Sequence, residues 1–328
     1  MSDPWTILRI IQWTIDYFKQ KGFDTPRLDA EVIIAHALGL KKIDLYLQFE
    51  RLLQEDELAH VKTLIKRRIN HEPVAYLTGK KEFWSREFVI DENVFIPRPD
   101  TEIVVEQVLE QVKKRGWQDN KLLGFEACLG SGCLAITLCC ELPQLTMQAI
   151  EISPKAIEIA KKNAEKFGVV ERLNIVKGDV FRLKTKDQRP TSGSQGHGVD
   201  GSQDQCQETS ASAALRSFCP PFDFLIANPP YIALSEKDQL PQSVRGHEPH
   251  LALFADNEGL AFYPKIAEFA KNYLRDDGFV AVEIGEQQGR AVKDIFESAD
   301  LHHVMVKKDY AGKERVVIGN RESLIVNR

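Results

Sequence analysis

The chain has 328 residues, a formal net charge of −5 and 43% hydrophobic residues. This length suits one large domain plus a small one. The mildly acidic balance argues against a protein that coats nucleic acid by charge alone. The first residues show no basic stretch followed by an apolar run, and no apolar stretch approaches the ~20 residues of a bilayer-spanning helix. We therefore expect neither a secretory signal nor a membrane span.

Cysteine and histidine spacing bears on metal sites and on the redox compartment. The cysteines stand at positions 128, 133, 139, 140, 206 and 219, and none forms a CxxC pair. His247 and His250 flank Glu248-Pro249 without further ligands in the pattern. These spacings favour neither a zinc site nor a disulfide framework, so we expect a cytoplasmic protein with reduced thiols and no metal.

Helical signals occupy the first seventy or so residues. Apolar residues recur at helical spacing from Leu8 to Phe18, after the start signal Asp3-Pro4, and again from Leu28 to Leu38. A third helix is predicted near residues 55–69. Acidic and basic residues nearly balance here, so residues 1–75 are predicted to form a small helical domain for protein contact or substrate positioning.

In residues 76–102 the apolar residues no longer recur at helical spacing, and this segment is predicted to link two domains. The runs at 82–90 and 94–96 are rich in aromatic and β-branched residues, which is typical of a β-hairpin. The string Pro97-Arg-Pro-Asp-Thr-Glu102 follows, and a helix is predicted to begin near Asp100 or Thr101.

Beyond residue 103 strand and helix patterns alternate. Strands are predicted at residues 122–128, 146–152, 173–177, 222–228, 279–284, 303–308 and 315–319. This alternation predicts an α/β fold with a doubly wound, mostly parallel seven-stranded sheet over residues 103–322. Residues 184–221 interrupt the alternation; from Pro190 to Ala214 no residue is aromatic, so we predict a disordered insertion.

Candidate ligand-binding residues follow three successive strands. The first strand ends in Glu126-Ala-Cys-Leu-Gly-Ser-Gly-Cys133, whose glycines allow close backbone approach to a cofactor. Glu151 ends the second strand, where a carboxylate can accept ribose hydroxyls. Asp179 follows the third strand and can accept an adenine amine. Each feature alone also suits an ordinary turn or a solvated strand end, but together they favour an adenosine-containing ligand.

The segment Asn228-Pro-Pro-Tyr231 follows an apolar strand directly. The side-chain oxygen of Asn228 and the backbone carbonyl of Pro229 can accept both hydrogens of a planar NH2 group. Proline stiffens the turn that carries these acceptors, and the Tyr231 ring can stack on the planar group. The alternative is an ordinary strand-ending turn. We interpret the segment as a grip for a substrate amide or amine.

These motifs resemble the HemK/PrmC family of protein-(glutamine-N5) methyltransferases. The resemblance covers nearly the whole chain apart from the insertion. It is carried by the helical N-terminal region and by strings that include Glu72-Pro-Val-Ala-Tyr-Leu-Thr-Gly79, Phe83-Trp84, Phe95-Ile-Pro-Arg-Pro-Asp-Thr-Glu102, Asn228-Pro-Pro-Tyr231 and Glu248-Pro-His-Leu-Ala-Leu253. Asn-Pro-Pro-Tyr alone is less specific, since DNA adenine-N6 methyltransferases carry it too.

The resemblance implies a Rossmann-like class I methyltransferase fold and the cofactor S-adenosylmethionine. From the charge and hydropathy of the chain we also expect no stable nucleic-acid binding and no membrane binding, and nothing in the sequence suggests an obligate interface, so a monomer is expected. The implied substrate is the glutamine of the Gly-Gly-Gln motif in class I peptide chain release factors. The implied cofactor-binding residues are Glu126, Cys128, Gly130, Gly132, Glu151, Asp179 and Asn228. The implied catalytic residues are Asn228, Pro229, Pro230 and Tyr231, and the implied substrate-binding residues are Pro97, Arg98, Glu102, Asn228 and Tyr231.

One motif departs from the family pattern. The family usually has glycine where this chain has Cys128, and bulky Leu129 follows. If that glycine has a positive φ or touches the cofactor, cysteine weakens cofactor binding. The altered turn leaves open a catalytically degenerate methyltransferase fold that serves as an interaction protein, and the shared Asn-Pro-Pro-Tyr motif leaves open a DNA adenine-N6 methyltransferase.

Overall fold

The structure of the protein is a computed structural model that describes residues 4–179 and 221–322. The predicted disordered insertion lies outside the described residues except for its last position, residue 221. In chain order the helices are α1 (Ile7–Gln20), α2 (Pro26–Ala37), α3 (Lys42–Leu47), α4 (Glu55–Ile69), α5 (Val74–Thr78), α6 (Glu102–Lys114), α7 (Cys133–Glu141), α8 (Pro154–Lys166), α9 (Gln242–Arg245), α10 (His250–Leu253), α11 (Tyr263–Tyr273) and α12 (Gly289–Ser298).

In chain order the strands are β1 (Lys80–Phe83), β2 (Arg86–Val89), β3 (Leu122–Ala127), β4 (Leu145–Glu151), β5 (Leu173–Lys177), β6 (Phe222–Ala227), β7 (Ile232–Ala233), β8 (Phe254–Ala255), β9 (Leu274–Glu283), β10 (His302–Lys308) and β11 (Glu314–Asn320). The strands of the described residues form three sheets: the hairpin β1-β2, a seven-stranded sheet and the short pair β7-β8. Within the described ranges, no helix is both long enough and apolar enough to cross a bilayer.

The chain divides into two compact units. The described part of the first consists of residues 4–81, 89–96 and 237–250, and the second contains the other described residues. Within the linker expected at residues 76–102, residues 76–81 and 89–96 belong to the first unit and residues 82–88 and 97–102 to the second. The assignment of residues 1–75 to substrate docking stays a prediction.

The first unit is built around a helical core. The Thr6 hydroxyl accepts the Arg9 N–H at 3.2 Å and starts α1, whose buried side runs through Ile7, Ile10 and Phe18. This corrects the expected start at Asp3-Pro4. Leu8, predicted on the buried side, is 53% exposed, because the buried face of α1 begins at Ile7 instead. Further buried residues come from α2, α4 and α5.

The β-hairpin is formed by β1 and β2. The sequence placed its strands at 82–90 and 94–96, whereas both lie within residues 80–89 and turn at Trp84-Ser85. Both turn residues have a positive φ, +50° and +55°, which gives the twist that suits a two-residue hairpin loop. This turn was missed because neither residue is one of the usual glycine or asparagine signals. Phe83 and Phe88 are buried in the core of the second unit.

The second unit contains the seven-stranded sheet, which confirms the predicted fold class. Its strand order is β10-β11-β9-β6-β3-β4-β5. All neighbouring pairs from β9 to β5 are parallel, and only β11 runs against the others. The chain winds outward from β3 in both directions, so the order reverses between β3 and β6. In such sheets ligands bind at the carboxyl ends of the strands at this switch point.

Strand β6 shows why the sheet is buried on both faces. All of its residues are buried. Leu225 and Ala227 pack in one hydrophobic cluster, and Phe224 and Ile226 pack in the other. Successive side chains point to opposite faces, so a continuous apolar run is required here. Asn228 is the first polar position after this run, at the carboxyl edge.

Candidate functional site

The turn after β3 lies at the switch point and has an uncommon backbone. Cys128, Gly130 and Gly132 have φ values of +60°, +56° and +79°. A Cβ at Gly130 would meet no atom within 4 Å, whereas one at Gly132 would lie 2.9 Å from Cδ1 of Ile136. The turn therefore has open space beside Gly130 and close packing beneath Gly132. Cys128 adopts a left-handed conformation that glycine would adopt without strain.

Glu126 connects this turn to the helix that follows it. Its side chain is 1% exposed and accepts the N–H of Ala135 in the first turn of α7, at 2.9 Å. Burial raises the pKa of this carboxyl well above its usual range, and the Ala135 N–H lowers it by less. Glu126 therefore stabilises the start of α7, whichever ligand it also binds.

Glu151 ties the end of β4 to the same turn. Its Oε2 accepts the N–H of Gly130 and its Oε1 accepts the N–H of Ser153, both at 2.9 Å. Each carboxylate oxygen has a second lone pair, so both can still accept a ligand hydroxyl. The N–H of Gly178 donates to the Glu151 carbonyl at 2.9 Å. Asp179 follows Gly178. Burial raises the pKa of the Cys128 thiol most, and the charges of Glu151 and, to a smaller extent, Asp179 raise it further. The candidate cofactor residues thus lie together.

Asn228 is oriented by a residue that is distant in sequence. Its Nδ2 donates to the hydroxyl of Thr101 at 3.3 Å. Thr101 is 1% exposed and lies directly before α6. Pro229 and Pro230 are buried. Because Nδ2 is engaged, Oδ1 is the end of the amide that remains to accept a hydrogen bond.

Tyr231 is held at its hydroxyl and at its backbone. The hydroxyl donates to Oε1 of Glu283 at 3.1 Å, and the backbone carbonyl accepts from Nε2 of Gln288 at 2.9 Å. Burial raises the pKa of the Tyr231 hydroxyl, so it stays protonated and donates. Burial also raises the pKa of Glu283 from 4.5 to about 7, although Thr101 and Arg315 lower it by less.

The two halves of the site meet near Cys133, the first residue of α7. Burial raises the pKa of its thiol most, and Glu126 and Glu283 raise it further. The strand register gives the same placement: Ala127 of β3 pairs with Ala227 of β6, and Ala227 pairs with Val282 of β9, so the carboxyl ends of these three strands are neighbours. The predicted cofactor residues and Asn228-Pro-Pro-Tyr231 therefore share the carboxyl edge of one sheet.

The predicted substrate residues before α6 are distributed over a wider surface. Pro97 is buried and Arg98 is half-buried, and the Arg98 charge acts to lower the pKa of Tyr231. Glu102 accepts the N–H of Trp84 at 2.7 Å, which anchors the hairpin turn. Glu102 also lines an open cleft of about 690 Å³ with Trp84, Ser85, Arg86 and Glu141. Their contact with a substrate stays a prediction.

Sequence reasoning missed the residues behind Asn228 and Tyr231, namely Thr101, Glu283, Gln288 and Arg315. One signal was present for Glu283. It is an acidic residue at the end of a buried strand, as Glu151 is, and Glu126 is the next-to-last residue of β3; only Glu126 and Glu151 were singled out. No local pattern marks Thr101, because its partner Asn228 is 127 positions away.

Comparisons with known proteins agree across nearly the full chain. Residues 9–79 match the family described as the PrmC N-terminal domain. The chain is 32% identical over 315 residues to a release factor glutamine methyltransferase of Rhodopirellula baltica, covering 96% of both chains. It is 34% identical over 313 residues to one of Chlorobaculum tepidum, covering 95% of this chain and 96% of that one.

Solved structures show the same fold at low sequence identity. The human METTL16 catalytic domain, solved with a MAT2A 3′UTR hairpin, superposes with a TM-score of 0.51 at 15% identity. The match covers 84% of this chain and 86% of that chain. The similarity confirms the architecture of the sheet and its helices.

Proposed function

This chain belongs to the family of release factor glutamine methyltransferases, and we propose that it methylates the glutamine amide nitrogen (N5) in the Gly-Gly-Gln motif of class I release factors. The proposed methyl donor is S-adenosylmethionine. That the protein is a methyltransferase follows from the family and is consistent with the fold.

The observation that supports this substrate most is the orientation of the Asn228 amide. Its Nδ2 donates to Thr101, which leaves Oδ1 as an acceptor, and the backbone carbonyl of the next residue, Pro229, is the second proposed acceptor. A substrate NH2 group offers two N–H donors in one plane, and two fixed acceptors match them. Hydrogen bonds from both hydrogens align the nitrogen and stabilise the positive charge that develops on it. The Tyr231 ring is the proposed surface against which the planar amide packs.

The residues at the ends of β3, β4 and β5 suit S-adenosylmethionine. The backbone at Gly130 is open, and Glu151 keeps lone pairs for ribose hydroxyls. We assign Glu126, Cys128, Gly130 and Gly132 to the methionine end, Glu151 to the ribose and Asp179 to the adenine. Asn228 is assigned to the point where cofactor and substrate meet. When bound, this cofactor supplies an electrophilic methyl group; the protein supplies alignment and exclusion of water.

The proposal extends to partners and location. Pro97, Arg98 and Glu102 are proposed to contact the release factor, and the helical domain is proposed to dock it. We expect a monomer without stable nucleic-acid or membrane binding. Location in the cytoplasm stays a prediction from the sequence.

Cys128 gives a direct test of the cofactor assignment. Replacing Cys128 by glycine is expected to tighten S-adenosylmethionine binding about fivefold, because removal of the Cβ lets the cofactor approach a backbone whose φ of +60° glycine adopts readily. Isothermal titration calorimetry measures the dissociation constant. Cys128→Ala is the matched control, since it removes the thiol but keeps the Cβ. Equal affinities for all three proteins would show that the departure from glycine has no effect.

The substrate assignment is tested with radiolabelled S-adenosylmethionine. A purified class I release factor is placed in one reaction and duplex DNA in another. We expect label on the release factor and none on a variant whose Gly-Gly-Gln glutamine is changed to alanine. Label on DNA instead would support an adenine-N6 methyltransferase. Cofactor binding without transfer to either substrate would favour an interaction protein.

A further inference from the structure

The side chain of Thr101 contacts Asn228, the residue proposed to bind the substrate amide. An asparagine side chain can present either its oxygen or its NH2 group to a ligand, and the two ends have similar shapes. Only the oxygen can accept hydrogen bonds from a substrate NH2 group. Thr101 is buried, and its oxygen accepts from Nδ2 of Asn228 at 3.3 Å. A threonine hydroxyl can also donate, but Thr101 lowers the pKa of Glu283 through a side-chain hydrogen bond, so its hydrogen is directed to that carboxylate and its oxygen accepts from Nδ2. This arrangement leaves Oδ1 for the substrate.

Glu283 performs the corresponding task for Tyr231. Its side chain is 1% exposed, and Oε1 accepts the Tyr231 hydroxyl at 3.1 Å. The hydroxyl of Thr101 also lowers the pKa of Glu283, so both residues belong to one group.

We propose that Thr101 and Glu283 are positioning residues behind the amide grip, with Thr101 setting the orientation of the Asn228 amide and Glu283 fixing the Tyr231 ring. This inference rests on the proposed function of Asn228-Pro-Pro-Tyr231. Neither residue needs to touch the substrate. Each acts through one side chain of the grip, so its removal lowers the rate of methyl transfer while cofactor binding persists.

The charge state of Glu283 matters because an ionised acceptor makes the stronger hydrogen bond. Burial raises its pKa to about 7, so the ionised form, and with it the firm hold on Tyr231, is gained as the pH rises through about 7. The other titratable and charged groups that face Glu283 come from five segments: Tyr231 after β6, Tyr263 in α11, Arg315 in β11, Asp100 before α6 and Cys133 in α7. Arg315 is paired with Asp309 and Asp100, both at 3.2 Å.

Steady-state kinetics of Thr101 variants test the first half of the inference. We expect Thr101→Val to lower kcat about 10- to 100-fold, as loss of one oriented hydrogen bond in a transition state does, while the dissociation constant of S-adenosylmethionine changes less than about twofold. Thr101→Ser restores the hydroxyl and is expected to recover most of this loss. Thr137→Val is the matched control: Thr137 is fully buried, and its hydroxyl has no hydrogen-bond partner among the described residues. Unchanged kcat in Thr101→Val, or failure of Thr101→Ser to rescue, would overturn the role of Thr101.

The pH profile of kcat tests the second half. The starting protein is expected to gain activity as the pH rises through about 7, whereas Glu283→Gln is expected to show lower activity without that inflection. Tyr231→Phe removes the hydrogen-bond donor and is expected to lose the inflection as well. An inflection that persists in Glu283→Gln would assign it to another group and refute the role of Glu283.

The proposed function and the positioning roles of Thr101 and Glu283 are contradicted by different results. If the unaltered protein transfers no label to the release factor glutamine, the proposed function is wrong and so is the inference. If it transfers label and Thr101→Val and Glu283→Gln match it at every pH, only the positioning inference is wrong. Circular dichroism melting of each variant shows whether a loss of activity reflects unfolding instead, and Thr101→Ser then decides for Thr101.

Discussion

Replacing Asn228 by alanine is expected to lower kcat by about 10²- to 10³-fold, the range observed when one oriented hydrogen-bonding group is removed from a site of developing charge. The replacement removes Oδ1, which is the proposed acceptor for one substrate N–H. It also removes the donor to Thr101, so the buried threonine hydroxyl loses a partner. Cofactor affinity is expected to change less than about threefold, because the residues assigned to the adenosine lie at the ends of other strands.

The measurement separates these two expectations. Single-turnover transfer to the release factor gives the rate, and calorimetric titration gives the dissociation constant of S-adenosylmethionine. Asn272→Ala is the matched control, because Asn272 is an exposed asparagine at the end of α11 in the same unit. Parallel loss of turnover and cofactor binding in Asn228→Ala would count against the assigned role of the amide, since the variant would then have lost the whole site.

The second large effect is expected at Gly259. Its φ is +82°, and a Cβ there would lie 2.0 Å from the backbone oxygen of Tyr231 and 2.7 Å from Nε2 of Gln288. No rotamer change can remove an overlap with a backbone atom. Gly259→Ala must therefore separate its own segment from the one that carries Tyr231, and the new Cβ also crowds Nε2 of Gln288, which donates to the Tyr231 carbonyl. We expect a loss of about 3 kcal/mol in the free energy of unfolding and about 10²-fold in kcat, since small misplacements of aligned groups are costly.

The contribution of the clash can be separated from that of the backbone conformation. Gly168 also has a positive φ, +67°, but a Cβ there would meet no atom within 4 Å. Gly168→Ala is therefore expected to cost only about 1 kcal/mol of stability and to leave kcat unchanged. Urea unfolding and kcat are measured for both variants. Similar effects at the two positions would mean that strain alone matters and that Gly259 does not hold Tyr231 in place.

The sequence determined the architecture of the second unit because its signals are local. Strands buried on both faces require continuous apolar runs, and helices packed on a sheet require apolar residues at helical spacing, so both patterns are visible without partners. The predicted strands at 122–128, 146–152 and 173–177 agree with β3, β4 and β5 within one residue at either end. The predicted strand at 279–284 is shorter than β9. The first residues of β9, Leu274 to Gly278, include charged side chains and so do not continue the apolar run from which the strand was predicted.

The sequence also determined which residues end the strands of the sheet. Glu126, Glu151 and Asn228 are polar positions directly after or at the end of apolar runs, and parallel strands bring such ends to one edge. Their neighbourhood was therefore predictable, although their roles toward cofactor and substrate stay predictions. The family resemblance rested on the same strings and is confirmed by full-length relatives.

Only the tertiary structure decided which side chains orient Asn228 and Tyr231. The hydrogen bond between Asn228 and Thr101 joins positions 127 apart, and that between Tyr231 and Glu283 joins positions 52 apart. No periodicity links such pairs, because side-chain hydrogen bonds depend on the packing of whole elements. The positive φ of Cys128 is likewise imposed by the turn at the switch point against the residue's own preference. The chain's local patterns thus specify the strand ends, while the partners that orient the amide and the phenol arise from how distant segments pack.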